Sequence, residues 1–252
     1  MNDLQLDFDL HVHTFHSPCC EEEMLPEVIL DTAARRGIRR LGLTDHFYPF
    51  TNPGIFDEIR RDCAKANING VPEVLFGCEA EIMAPGKTSV GPELAEKLDF
   101  VMVAATHFQN AGIVEPPPAD DDESIARHYL EMLTYAVGLP YADTVAHPFF
   151  VVPGVFPETS VAVLRDSDIL PTLELARENG VAMEISPRAL FPAQLDFSLR
   201  FYRLCKKVGV KFTLGSDAHR LEAVGRLDVL RPIVHELRLS RKDFWLPTSE
   251  GE

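Results

Sequence analysis

Short apolar runs alternate with amphipathic stretches along the chain. Runs at residues 6–12, 39–44, 74–81, 100–105, 144–146, 181–186 and 210–215 have the length and the Val, Leu and Phe content of buried strands. Between them, apolar positions at helical spacing predict helices over 25–36, 56–68, 124–137, 169–179, 193–208 and 221–237, with a shorter one at 92–97. Gly37, Gly180 and Gly209 each follow a predicted helix, where a left-handed residue ends the turn. The stretch Glu115-Pro116-Pro117-Pro118-Ala119-Asp120-Asp121-Asp122-Glu123 reads as an exposed loop leading into an acidic helix N-terminus.

Seven strand–helix repeats imply parallel strands joined by right-handed crossovers, hence an α/β fold. No composition shift marks a boundary, so residues 1–252 are expected to form one domain. A barrel is favoured over an open sheet. Closure gathers every strand's C-terminal end at one mouth, whereas an open sheet spreads those ends along an edge.

The polar residues at those ends change the picture from architecture to chemistry. Of nine histidines, seven (His11, His13, His16, His46, His107, His147 and His219) sit at or just past the end of an apolar run. Glu79 and Asp217 occupy the same kind of position. His11 and His13 alternate along a strand and so share a face. Any one of these residues alone is as well explained by a core histidine or by a polar loop start. Their joint placement points instead to imidazole and carboxylate gathered around metal, with more than one ion expected. A buried carboxylate such as Glu79 also needs a cation to offset its desolvation. Asp45, beside His46, suits ligation or support of a ligand. Glu184 is expected to orient a pocket residue, and Glu81 to lie in the barrel wall or pair with a cation. His128 and His235 fall on helices and read as surface residues without a role.

Composition narrows the partners. The net charge of −15, from 39 acidic and 24 basic residues, works against nonspecific binding to nucleic acid or anionic membrane. No apolar stretch approaches the roughly 18 residues of a membrane span, and no signal-peptide pattern opens the sequence, so a cytoplasmic protein is expected. Five cysteines form no disulfide framework. Cys63 and Cys205 fall on helical patterns as small apolar residues. Cys19-Cys20 lies in the loop after the first histidine pair, where a ligand role competes with the rarity of adjacent cysteines reaching one ion.

Taken in order, Asp9-Leu10-His11-Val12-His13-Thr14, Thr44-Asp45-His46, Gly77-Cys78-Glu79, His107, Ala146-His147-Pro148 and Gly215-Ser216-Asp217-Ala218-His219 resemble the PHP (polymerase and histidinol phosphatase) family. The resemblance implies a distorted (β/α)7 TIM-like barrel with two or three divalent ions (Zn, Mn or Fe) at the C-terminal ends of the strands. It implies hydrolysis of a small-molecule phosphate ester through a metal-bridging hydroxide, as in histidinol phosphatase. A metal-dependent amidohydrolase and a 3′–5′ exonuclease or nucleotide phosphoesterase are the rival activities. Carried over by position, the first metal takes His11, His13, Glu79 and Asp217, and the second shares Glu79 and adds His107 and His147. A third uses His46 and His219 with a ligand from the loop after His13. Members with three metals commonly place a histidine where this chain has Cys19, so His16, Cys19 or water has to substitute. Asp45, His46 and His219 are the expected acid groups. Arg188, in Ser186-Pro187-Arg188, is the expected phosphate contact, ahead of Arg220 and Arg226.

Overall fold

A computed structural model describes residues 4–66, 70 and 72–247. Its strands are β1 (Phe8–Val12), β2 (Arg40–Leu43), β3 (His46–Phe47), β4 (Glu73–Ala84), β5 (Lys87–Thr88), β6 (Phe100–Ala104), β7 (Thr144–Ala146), β8 (Ala182–Ile185) and β9 (Phe212–Leu214). The helices are α1 (Pro26–Arg35), α2 (Ile55–Lys65), α3 (Pro92–Ala95), α4 (Asp122–Val137), α5 (Asp166–Asn179), α6 (Leu195–Val208) and α7 (Arg231–Glu236). The predicted end of the second helix at Ile68 lies outside the described residues.

Seven strands pair in the order β1-β2-β4-β6-β7-β8-β9, every pairing parallel. Single backbone contacts bring the two ends of this sheet together. Val12 bridges Ala218, and His13 N donates to Ala218 O at 3.0 Å. The result is a nearly closed α/β barrel of seven parallel strands, as the alternating runs predicted. Its strands are buried on both faces, which is why they read as continuous apolar runs rather than alternating ones. Two glycines admit a large side chain. Cβ atoms at Gly42 and Gly77 would each stand 2.9 Å from ring atoms of Phe100, so the ring fills the space both leave.

Helix caps follow the sequence signals. Asp121 caps α4, accepting Ser124 N at 3.0 Å, and Gly180 and Gly209 end α5 and α6 in the left-handed region. The predicted helix over 221–237 is corrected. The chain there forms turns, a 3₁₀ turn at Leu227–Leu230 and only then the short α7. Gly225, at φ +68°, donates its N–H to Asp9 Oδ2 at 2.8 Å, and this pull toward the barrel breaks any continuous helix. His128 is also corrected. It lies on the inner face of α4 with Ile125, Tyr129 and Met132, only 5% exposed, and its Nε2 reaches Glu115 O at 2.9 Å. Among the described residues no helix is long and apolar enough to cross a membrane.

Candidate metal centre

The mouth of the barrel collects the strand-end residues. His11 is in β1 and His13 just past it. His46 opens β3 and pairs in register with Glu79 of β4. His107 and His147 follow β6 and β7, and Asp217 and His219 follow β9. His11, His13 and Glu79 are fully buried, and His46, His107 and His147 nearly so. A cavity of about 1090 Å³ opens over them, lined also by Arg188, Phe150 and Phe191.

Three donor atoms, from His11, His13 and Glu79, define one compact group, and Asp217 approaches its two imidazoles. His11 Nε2 lies 3.0 Å from His13 Nε2, 3.5 Å from Glu79 Oε2 and 3.7 Å from Asp217 Oδ1. His13 Nε2 lies 3.5 Å from Glu79 Oε2 and 3.6 Å from Asp217 Oδ1. Four ligands at roughly 2.0–2.2 Å from a tetrahedral ion are separated from one another by about 3.3–3.6 Å. The separations within His11, His13 and Glu79 lie close to that range, so these three fit a divalent cation, with Asp217 Oδ1 within 3.7 Å of both imidazoles.

The other ring nitrogens explain why these atoms face inward. His11 Nδ1 donates to Glu184 Oε1 at 2.7 Å, His13 Nδ1 to Ser17 Oγ at 3.1 Å and His107 Nδ1 to Glu81 Oε1 at 2.8 Å. His147 Nδ1 shares a hydrogen bond with Thr106 Oγ1 at 2.9 Å, and His219 Nδ1 donates to Asp217 O at 3.0 Å. Holding Nδ1 in this way fixes the ring and leaves Nε2 as the nitrogen that could bind a metal. His46 is reversed. Its Nδ1 stands 2.9 Å from Glu79 Oε2, yet neither atom makes a hydrogen bond. Close, unbonded donors of this kind are what a shared cation satisfies.

Glu79 sits at the centre. Its Oε2 faces His11, His13 and His46, and its Oε1 lies 3.0 Å from His147 Nε2 and 3.6 Å from His107 Nε2. Among the described residues, three groups have all their donors within 4.8 Å of one another: His11, His13 and Glu79; His46, Glu79 and His107; and His13, His46 and His219. His46 therefore stands closer to the Glu79–His107 group than the sequence reading placed it. Burial alone raises the pKa of Glu79 and Asp217, but the surrounding imidazoles, joined by Arg188 at Asp217, hold both well below the usual carboxylate range. Burial also opposes the imidazolium of His11, and Glu184, Glu79 and Asp217 outweigh it and raise that pKa.

Backbone conformation reinforces the arrangement. His147 and Asp217 have positive φ, 26° and 52°, a strained state for residues with side chains. Asp9, fully buried, accepts Ser216 N at 2.8 Å beside Asp217. Arg188 Nε donates to Asp217 Oδ2 at 2.6 Å, and its guanidinium lies 5.3 Å from the Phe150 ring centre. Arg220, Arg226 and Cys19 also line the cavity. His16 does not. Its ring packs on Phe15, centroids 4.2 Å apart. Asp45 accepts from Thr14 N, Thr14 Oγ1 and Ser17 Oγ at 2.8, 2.8 and 2.6 Å.

The sequence reading did not single out Ser17, Thr106 or Asp9 for these supporting contacts. The hydroxyls carry no pattern along the chain. Asp9 shares the β1 stretch with His11 and His13, but Ser216 and Gly225, which it holds, lie more than two hundred positions away.

The family model of the PHP domain matches residues 9–188. The chain belongs to the PHP domain family. The chain is 27% identical over 244 residues to a protein of Acetivibrio thermocellus named "Probable phosphatase", covering 91% of this chain and 86% of that one. A "Probable phosphatase" of Caldicellulosiruptor bescii is 26% identical over 237 residues, covering 92% and 87%. Among solved structures, a D-hydantoinase from Bacillus sp. AR9 overlays the chain with a TM-score of 0.46 at 12% identity, covering 94% of this chain and 69% of that one. That likeness is too remote to bear on chemistry.

Proposed function

We propose that this PHP domain is a metal-dependent phosphoesterase that hydrolyses phosphate esters of small molecules. The observation that carries the reading is the frame of His11, His13, Glu79 and Asp217 donors, open to a cavity in which Arg188 is fixed alongside. The relatives named probable phosphatases support it. Zn, Mn and Fe all suit mixed imidazole and carboxylate donors. Bound divalent ions supply water made acidic near neutral pH and draw charge from phosphoryl oxygens.

The residues of this chain then take distinct parts. His11, His13, Glu79 and Asp217 hold one ion, and Glu79 extends its other oxygen toward His107 and His147. Arg188, steadied by Asp217 and the Phe150 ring, receives the phosphoryl group, because a guanidinium can donate two parallel bonds to it. His46 and His219 flank the cavity where the leaving oxygen departs and can deliver a proton to it. Of the parts expected for Asp45, support of a ligand fits best, because its carboxylate accepts from Thr14 and Ser17 and holds the loop beside His13 and His46. The −15 net charge disfavours a nucleic acid substrate.

The test is to strip the protein with a chelator, restore Zn, Mn or Fe singly, and assay phosphomonoesters, phosphodiesters, amides and lactams. Metal-dependent release of phosphate, lost in Glu79→Gln, is the expected result. A metal-replete protein that leaves every phosphate ester intact, or cleaves only amides, sinks the proposal.

A further inference from the structure

Two cations that line the cavity have no part in the scheme above. Arg220 follows His219 directly, and Arg226 lies further along the same segment after β9. Both are exposed, and among the described residues neither guanidinium makes a hydrogen bond or an ion pair. In a chain with 39 acidic against 24 basic residues, surface arginines readily find a carboxylate, as Arg35, Arg127, Arg165 and Arg203 do. Glu21 and Glu222 line the same cavity, yet among the described residues neither pairs with Arg220 or Arg226.

The backbone beneath these two side chains is fixed. Glu21 N donates to His219 O at 3.1 Å, and Ala223 N to Arg220 O and Arg226 N to Ala223 O, both at 3.0 Å. Arg36, just past α1, donates Nη1 to Glu222 O at 2.9 Å and to Val224 O. Gly225 N is held by Asp9 Oδ2 at 2.8 Å. The loop is thus positioned at its root and along its length, while its two guanidiniums keep their donors open. A backbone ordered in advance lowers the cost of a ligand contact.

The cavity also has room beyond one phosphoryl group. Its volume of about 1090 Å³ compares with the roughly 300–1,000 Å³ of pockets that take drug-sized ligands. Arg188 stands with Phe150, whereas Arg220 continues from His219, one of the two histidines placed where the leaving oxygen departs. The open cations therefore belong to the leaving-group side.

We propose that Arg220 and Arg226 form a second anion subsite, so that the preferred substrate carries a carboxylate or a second phosphate on its leaving alcohol. This deepens the phosphoesterase reading and rests on it for the phosphoryl group at Arg188. A guanidinium meets either oxyanion through two parallel N–H bonds.

Alkylphosphonates, whose carbon–phosphorus bond an esterase leaves intact, separate binding from turnover. Calorimetry on the metal-loaded protein compares chains of matched length ending in methyl, carboxylate or a second phosphonate. The unaltered protein should bind a doubly anionic analogue about 10-fold or more tighter than the methyl-ended one, the worth of one charge-assisted hydrogen bond. Arg220→Ala and Arg226→Ala should each shrink that preference, the double variant should abolish it, and Arg226→Lys should keep part of it. Arg35→Ala, which removes an exposed cation on α1, should keep it whole. Equal affinity for all three ends, a preference that survives the double variant, or one lost equally in Arg35→Ala overturns the subsite. The two readings fail separately. A preference for the second anion in a protein that hydrolyses no phosphate ester keeps the subsite and sinks the activity, whereas hydrolysis without that preference does the reverse.

Discussion

Glu184 lies 2.7 Å from His11 Nδ1 through Oε1, and its Oε2 accepts the His147 backbone N–H, also at 2.7 Å. One buried carboxylate from β8 therefore orients His11 on β1 and fixes the strained backbone of His147 after β7. Glu184→Gln removes one acceptor oxygen and the charge that favours the required His11 tautomer. Metal affinity should fall by roughly 10–100-fold, the usual loss when such an orienting partner is removed. Competition with a chromophoric chelator measures it. An affinity like that of the unaltered protein sinks the assigned role.

Gly215→Ala should be the most damaging single methyl at this site. A Cβ there would stand 2.0 Å from Glu184 Oε1 and 2.4 Å from His11 Cβ, and both neighbours are buried and already bonded to each other. Neither can withdraw without breaking the His11–Glu184 pair. The variant should lose roughly 1–3 kcal/mol of stability, typical of overpacking, and bind metal less tightly. Urea denaturation and elemental analysis check the two effects. A variant with unchanged metal content shows that the pair tolerates displacement.

Much of this site was legible because the chain writes each strand as an apolar run ending in a polar residue. His11, Glu79, His107, His147 and Asp217 stood out for that reason. Glu184 and Glu81 were legible as strand-end carboxylates, though their partners were not. What stayed hidden depends on distant pairs. The break in the helix expected over 221–237 needs Asp9 to capture Gly225 across 216 positions, which no local pattern contains. Ser17 and Thr106 are unremarkable in sequence until His13 and His147 are placed beside them. His128 was misread for a different cause. A histidine on an amphipathic helix is polar by habit, yet its spacing from Ile125 and Met132 already put it on the buried face.

His128 gives a control for effects on stability without effects on metal. Its Nε2 holds Glu115 O at 2.9 Å, and its ring lies 5.4 Å from that of Phe108. His128→Ala should cost roughly 1–3 kcal/mol, because truncation removes the partner of a carbonyl and leaves a gap beside Phe108. Metal content should stay as in the unaltered protein. Unfolding midpoints unchanged within error would return His128 to the surface role first assigned from sequence.

Arg188 separates substrate binding from metal binding. Its Nε is engaged by Asp217 Oδ2 at 2.6 Å, while Asp217 Oδ1 faces His11 and His13. Arg188→Ala therefore leaves the oxygen nearest His11 and His13 in place and removes the cation at the cavity wall. A charge-assisted hydrogen bond contributes roughly 1.5–3 kcal/mol, so KM for a phosphomonoester should rise about 10–100-fold. Arg188→Lys should lie between, since an ammonium keeps the charge but not the two-pronged geometry. Metal stoichiometry should be the same in all three proteins. An unaltered KM in Arg188→Ala removes this residue from the substrate site, and a loss of metal in the same variant reassigns it to holding Asp217.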